Sequence, residues 1–329
     1  MIEIKKILVP TDFSKGSETA YTVAQKVADT FGSKIDFIHV IPTLKYLQES
    51  IKKLGVPLDM NKDVYPQIVK EKEHKIASDM DDYIRDENKG EKFVIIDRKV
   101  SERIVEHSKK KGYDLIIMGA KGHHETSLLR GSTTEKVIRN SKIPVFSVDH
   151  SLEKEEIKHI LVPTDSSKLS LSAFPLALAI ADTYGADLML LHVIELYGSV
   201  SEDIPRSPQK GEEVSIYEVV IERLKELLAS KNMDNVSIQR TGVTFEDEVA
   251  IADNGNSREV QLKTKIIKGV SAHHEIESYS EENSDVVVMA THGHSGFAHL
   301  ILGSTAEKVA QYVSKPVITV RPDKDEFES

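Results

Sequence analysis

The sequence predicts an α/β protein made of two tandem doubly wound domains. Three observations carry that prediction. Ile7-Leu8-Val9-Pro10-Thr11-Asp12 returns 153 residues later as Ile160-Leu161-Val162-Pro163-Thr164-Asp165, and His39-Val40-Ile41 returns at the same spacing as His192-Val193-Ile194. Gly131-Ser132-Thr133 returns as Gly303-Ser304-Thr305, each followed by Glu-Lys-Val at 135–137 and 307–309. An ordered repeat this long means duplication of a whole domain, because solenoid units are far shorter. In each half, short β-rich runs alternate with longer helical patterns. Finally, Leu115–Met118 and Val286–Met289 are unbroken apolar runs, the mark of parallel strands buried on both faces between helix layers.

The elements follow in order. Ile7–Pro10 reads as a strand. Ser17–Phe31 reads as a helix with Ala20, Val23, Ala24, Val27 and Ala28 on one face, stopped by Gly32. Ile35–Ile41 is the second strand. A charged segment from about Leu44 to Asn88 is helical in its later part. Lys92–Ile96 is the third strand, Ser101–Lys110 a helix, Leu115–Met118 the fourth strand, Thr134–Asn140 a helix and Pro144–Val148 the fifth strand. The second half repeats the series as Ile160–Pro163, Ala173–Tyr184, Leu188–Ile194, Val214–Lys231, Leu262–Ile267, His274–Tyr279, Val286–Met289, Glu307–Val313 and Val317–Val320. Residues 149–157, acidic and polar, join the halves, which gives domains of 1–150 and 151–329. The second half also carries an insertion at about 236–262. There Val249, Ile251, Val260 and Leu262 alternate around Asp253-Asn254-Gly255-Asn256, the signal of an extra β-hairpin. An edge ornament is the plain interpretation; a lid or a partner surface is the alternative.

Composition narrows the function. The chain has 329 residues, 40% hydrophobic and 29% charged, as expected of two ordinary globular domains. A net charge of −10 argues against a nucleic-acid or anionic-membrane surface. Cysteine is absent, which removes disulfides, thiol catalysis and Fe–S clusters. Trp is absent and Tyr and Phe are few, so no stacking platform for single-stranded nucleic acid is visible. The chain enters its first strand directly, and no apolar run approaches a membrane span. A cytoplasmic protein is expected.

Chemistry concentrates after the fourth strand of each half. The second half has Met289-Ala290-Thr291-His292-Gly293, nine residues, then Gly303-Ser304-Thr305. The first has Met118-Gly119-Ala120-Lys121-Gly122, eight residues, then Gly131-Ser132-Thr133. A glycine-bearing loop between a parallel strand and a helix suits phosphate. Glycine admits the anion close to the backbone, and the helix start offers unpaired N–H groups. In a doubly wound sheet such a loop, like the Pro-Thr-Asp after strand one, leaves the carboxyl edge where ligands bind. A second interpretation is purely structural. Ser132 with Glu135 and Ser304 with Glu307 fit the capping box, and Asp12 and Asp165 fit helix caps. His292, His294 and His299 surround the second loop, His273 and His274 begin a nearby helix, and His123 and His124 sit in the first loop. Such histidines more often donate to an anion or lie exposed than bind metal, and no metal site is expected.

Taken together, Val9-Pro10-Thr11-Asp12 and Val162-Pro163-Thr164-Asp165, the two His-Val pairs and the two glycine loops make the chain resemble the universal stress proteins in their tandem form. The resemblance covers nearly the whole chain twice, excluding the insertion. It implies a five-stranded parallel sheet of order 3-2-1-4-5 in each half and assembly through the fifth strands. The halves would then form an internal pseudo-dimer, with room for a homodimer of the whole. It also implies ATP or AMP as ligand, with Mg2+ as a candidate companion, on the pattern Gly-x2-Gly-x9-Gly-Ser/Thr. Carried over to the second half, Asp165 and Val193 would hold the adenosine. Met289, Ala290 and Gly293 would pass beneath ribose and phosphates, and Gly303, Ser304 and Thr305 would bind phosphate oxygens. The first-half counterparts are Asp12, Val40, Met118, Gly119, Gly122, Gly131, Ser132 and Thr133. The second half keeps the nine-residue spacing but has Ala290 for the first glycine. The first half keeps both glycines but is one residue short, and Glu125 brings a like charge near the phosphates, with Arg130 or Lys121 as compensation. The second half is therefore the preferred site, and the first is expected to bind nucleotide more weakly or not at all. The expected function is a nucleotide-dependent sensor or regulator in stress response, with no efficient catalytic set. A slow ATP hydrolase using His292 or His294 and a ligand-free interaction scaffold are the alternatives.

Overall fold

A computed structural model of the chain describes residues 2–43, 45–54, 58–120, 131–149, 157–196, 212–253, 256–293 and 302–322. The first half runs β1 (Lys6–Pro10), α1 (Lys15–Phe31), β2 (Lys34–Pro42), α2 (Lys45–Lys53), α3 (Tyr65–Tyr83), β3 (Lys89–Asp97), α4 (Val100–Lys111), β4 (Leu115–Gly119), α5 (Ser132–Asn140) and β5 (Val145–Val148). The second runs β6 (His159–Pro163), α6 (Lys168–Leu171), α7 (Phe174–Tyr184), β7 (Asp187–Glu195), α8 (Glu212–Ser230), β8 (Val236–Arg240), β9 (Glu246–Asp253), β10 (Asn256–Gly269), α9 (Ala272–Asn283), β11 (Val286–Ala290), α10 (Ser304–Tyr312) and β12 (Val317–Val320). Among the described residues no helix is long and apolar enough to cross a membrane.

All twelve strands form one sheet, in the order β3-β2-β1-β4-β5-β12-β11-β6-β7-β10-β9-β8. Each half therefore has the expected 3-2-1-4-5 winding, and parallel pairing holds within it. The halves join where β5 and β12 pair antiparallel, Phe146 opposite Ile318. The apolar strands serve two cores at once, because successive side chains point to opposite faces. In β1, Ile7 and Val9 enter one cluster and Leu8 the other. In β4, Leu115 and Ile117 enter the first, and Ile116 and Met118 the second. Both clusters run through the junction into the second half, so the duplicated domains share their interior.

The junction also carries a polar clasp. Arg139 of α5 pairs with Glu135 of its own helix at 2.8 Å and with Glu307 of α10, in the other half, at 2.6 Å. By the repeat, Gln311 occupies the position of Arg139, so the second half does not return the contact.

Three departures from the sequence reading have physical causes. The helix expected at Ala173–Tyr184 is present as α7, but a separate four-residue helix, α6, precedes it, and Pro175 in the first turn of α7 keeps the two from running on as one helix like α1. The charged segment 44–88 holds α2 and a π-helical stretch, Met60–Val64, before the helix α3 expected in its later part. The insertion is larger than one hairpin. β9 pairs β10 antiparallel from Asp253 opposite Asn256 onward, residues 254–255 lying outside the described set, and β8 adds a further antiparallel strand. Buried Asp247 fastens this extension, accepting from Tyr217 of α8 at 2.8 Å and pairing with Arg240 at 3.0 Å. Burial pushes the Asp247 carboxyl above its usual range. Arg258 ties the hairpin to Asp182 of α7 at 2.8 Å. β9 flanks Asn256–Lys263, the early part of β10, whereas β10 joins β7 through Leu262–Gly269. The added strands thus lie at the end of β10 remote from the sheet's carboxyl edge, which does not suit a lid.

Arg139→Met should destabilise the chain by about 0.5–1 kcal/mol, since the bridge is one-third exposed and partly screened. The loss should shrink at high salt, as the two stranded carboxylates are screened from one another. Denaturant titrations at low and high salt check this; a loss independent of salt would refute it.

Candidate functional site

The repeated Pro-Thr-Asp is a pair of interlocked turns. After β1, Thr11 Oγ1 accepts the N–H of Phe13 at 2.9 Å, and Asp12 Oδ1 accepts that of Ser14 at 3.0 Å. After β6, Thr164 Oγ1 accepts the N–H of Ser166 at 3.0 Å, and Asp165 Oδ1 that of Ser167 at 3.0 Å. A hydroxyl turn followed by an Asx turn reverses the chain without sheet partners. The next serine then caps the helix: Ser14 accepts from Ser17 N, and Ser167 from Ser170 N. So neither aspartate is the helix cap that one sequence reading gave it. The cap falls to a serine two residues on, which keeps the exposed aspartate at the carboxyl edge of the sheet.

At the other side of each cleft a helix begins on glycine. Gly131 and Gly303 are the N-caps of α5 and α10, at φ −65° and −59°, and neither helix has a side-chain cap bond. The capping boxes are therefore not formed. Ser132 and Ser304 stand one position too late, in the first helical turn, and Glu135 turns to Arg139 instead. The amides of the first three helical residues have no intrahelical acceptor, and the dipole end is positive. The start is fixed identically in both halves. Gly131 N donates to Ala120 O at 2.6 Å, and Gly303 N to Thr291 O at 2.9 Å. The first-half loop residues 121–130, Gly122 among them, lie outside the described residues.

All eight preferred residues, Asp165, Val193, Met289, Ala290, Gly293, Gly303, Ser304 and Thr305, line one cleft of about 120 Å3. In the first half Asp12, Val40, Met118, Gly119, Gly131, Ser132 and Thr133 line a cleft of about 430 Å3, and Gly122 lies outside the described residues. Both clefts open between the first and fourth strands of their half, where the winding reverses. The sequence reading missed the side walls: Val100 and Ile104 of α4 in one, Ala272 and Ile276 of α9 in the other. Their i, i+4 spacing at the start of a helix, repeated at an offset of 172, was the available signal. With Leu191 or Ile38 they give each cleft an apolar slot beside the polar helix end.

The glycines differ in purpose. A methyl group on Gly293 would overlap Asp165 Oδ2, so Gly293 makes room for that carboxylate. A methyl on Gly119 would overlap the Gly16 carbonyl of α1. Gly119 thus serves helix–strand packing. In the second half the matching residue, Ala290, is buried with its methyl group in place. On this ground Ala290 is no defect of the second cleft.

Few titratable groups line the clefts. Among the described residues these are Asp12 and His39 in one, Asp165 and His292 in the other, with no Lys or Arg. His39 Nδ1–H donates to Thr11 O at 2.7 Å. His192, its repeat, pairs Nδ1 with Ser166 Oγ at 3.1 Å, and His292 Nδ1 lies 2.8 Å from Thr291 Oγ1. Burial, outweighing the Thr11 hydrogen bond, holds His39 below its ordinary 6.5. His273 is lowered by burial and by Lys308. Among the described residues no group of three or more His, Asp or Glu gathers as a metal site; His123, His124, His294 and His299 lie outside them.

A doubled, doubly wound α/β fold with a helix-start cleft at each switch point defines the class of protein. The universal stress protein family model matches residues 3–149 and again 156–321, and the chain belongs to that family. Two universal stress proteins of Methanocaldococcus jannaschii are similar to it. One is 28% identical over 172 residues, covering 51% of this chain and 85% of its own; the other is 34% identical over 155, covering 44% and 94%. A universal stress protein of Mycolicibacterium smegmatis is 23% identical over 319 residues, covering 96% and 97%. The fold is also that of a solved universal stress protein from Archaeoglobus fulgidus, with TM-score 0.62 and 20% identity over 97% of this chain and 99% of that one.

Two outcomes are expected. Gly119→Ala should destabilise by about 1–3 kcal/mol through overpacking against Gly16, whereas Ala290→Gly should cost under about 1 kcal/mol; equal effects in thermal melts would contradict the packing role. Folding favours neutral His39, so its contribution is full above about 6.5 and is lost as pH falls below that value toward the folded pKa. His39→Asn keeps a donor for Thr11 O and does not titrate. It should reduce the acid-side slope of stability against pH, and an unchanged slope would count against the assignment.

Proposed function

We propose that the protein binds adenine nucleotide, ATP or AMP, in the second-half cleft and, on the same geometry, in the first. It acts as a nucleotide-dependent sensor or regulator in stress response rather than as an efficient enzyme. The observation that carries this is the pairing, in one cleft and twice in one chain, of an apolar slot with a glycine-started helix end and an aspartate fixed by an Asx turn. The slot suits a base, the aspartate suits ribose or base hydroxyl and amine donors, and the helix end suits phosphate. The family's glycine pattern supports the same ligand.

Anion recognition would rest on Ser304, Thr305 and the first amides of α10, with no described cation beside them. Mg2+ would travel on the nucleotide phosphates, since Asp165 is the single carboxylate among the described lining residues. Efficient hydrolysis needs a base set to activate water, and Asp165 Oδ1 is already engaged by Ser167 N and Oγ. Single-turnover assays with excess protein separate slow hydrolysis from binding alone. Denaturing the purified protein and analysing released small molecules tests the ligand-free scaffold.

Calorimetric titration should give two adenine-nucleotide sites per chain. Gly303→Val should leave one. Its backbone is already in a conformation that valine accepts, while the new Cβ would sit 3.1 Å from Thr291 O and crowd the helix end. Asp165→Ala should weaken the second site by about 1.5–3 kcal/mol through lost charge-assisted hydrogen bonds. Unchanged affinity in both variants with the fold intact would sink the assignment.

A further inference from the structure

The residue after each motif aspartate is left-handed and is not glycine. Phe13 has φ 64° and Ser166 has φ 68°. A bulky residue there is a genuine outlier, and such backbone persists only where its surroundings hold it. Interlocked turns pull on it from within, through Thr11 and Asp12 or Thr164 and Asp165. A second hold comes from outside the loop, and it recurs in both halves by different chemistry. Lys72 of α3 places Nζ over the Phe13 ring, 5.4 Å from its centroid. Arg223 of α8 donates Nη1–H to the Ser166 carbonyl at 2.9 Å. α3 and α8 occupy the same place in the winding, each leading from the second strand toward the third. The same left-handed residues also meet the strand-two histidines. Phe13 packs on His39 with ring centroids 4.6 Å apart, and Ser166 Oγ reaches His192 Nδ1 at 3.1 Å.

We infer that Arg223 and Lys72 are positioning residues: each clamps the left-handed residue beside its motif aspartate, and so fixes where that carboxylate stands in the cleft. The inference rests on the nucleotide reading, because the carboxylate is placed for a ligand. Neither cation lines its cleft, so each acts through the turn. The duplication makes the case. The turn, its handedness and the sign of the clamping charge are kept, while the clamped residue changes from phenylalanine to serine and the contact from cation–π to hydrogen bond. A serine carbonyl accepts from a guanidinium, and an aromatic face attracts an ammonium.

Glycine adopts a left-handed φ without strain and needs no clamp. That gives a test by double-mutant cycle in the full-length chain carrying Gly131→Val, so that only the second cleft is read by ATP titration. Arg223→Met should weaken ATP about tenfold. In the Ser166→Gly background the same change should have no effect, because the turn then holds itself. Hydrogen exchange of the Ser166 and Ser167 amides, measured without ligand, should quicken in Arg223→Met and recover in the double variant. A loss of affinity that glycine does not relieve would show Arg223 acting through the packing of α8, and would overturn the inference. So would unaltered affinity and exchange in Arg223→Met. Should the parent bind no ATP, the nucleotide reading fails, and exchange alone then decides whether the clamp exists.

Discussion

The geometry of both clefts depends on how the chain leaves its first strand. Strand one ends at the middle of a parallel sheet, where two amides would lose their partners just as the backbone turns toward helix. Thr11 and Asp12, and again Thr164 and Asp165, supply those acceptors from their own side chains. The solution fixes three things at once: the turn, the helix start at Ser14 or Ser167, and a carboxylate at the carboxyl edge. A Val-Pro-Thr-Asp sequence is therefore a folding instruction in its own right. The aspartate is not the helix cap that the sequence suggested, yet its turn role occupies only one of its two oxygens. Oδ1 of Asp165 closes the turn, and Oδ2 lies toward Gly293.

Much of this was legible beforehand. Unbroken apolar strands announced a sheet buried on both faces, and Ile7-Leu8-Val9 divides its side chains between two cores as that requires. The repeat announced two domains, and the glycine loops announced the clefts. What stayed hidden depended on tertiary proximity. Gly119 reads as a ligand glycine in sequence, yet its hydrogen atoms are needed against Gly16, a residue more than a hundred positions away. The Ser-x-x-Glu pattern read as a capping box, but Arg139 draws Glu135 away and leaves glycine as the cap. The third strand of the insertion was missed because β8, Val-Ser-Ile-Gln-Arg, is short and mostly exposed, with little apolar pattern to read.

The helix start of each cleft is anchored to its strand. One residue fewer separates Gly122 from Gly131 than the family pattern has. Yet the start of α5 is pinned to a carbonyl at the end of β4 just as α10 is pinned at the end of β11. Both helix starts are thus held by the strand end rather than by the length of the loop. The contrast between the halves is therefore to be sought in side chains along the loop and walls, such as Val100 against Ala272, rather than in the position of the helix.

The antiparallel pairing of β5 with β12 has a consequence for how such a molecule can change. In a dimer of identical chains, every substitution appears twice across the two-fold axis, so a charge added at the axis meets its own copy. Covalent fusion removes that constraint and makes the association independent of concentration. Arg139 facing Gln311's half of the junction is a use of that freedom: one guanidinium serves two glutamates, where a symmetric pair of arginines would have brought two cations to the same spot.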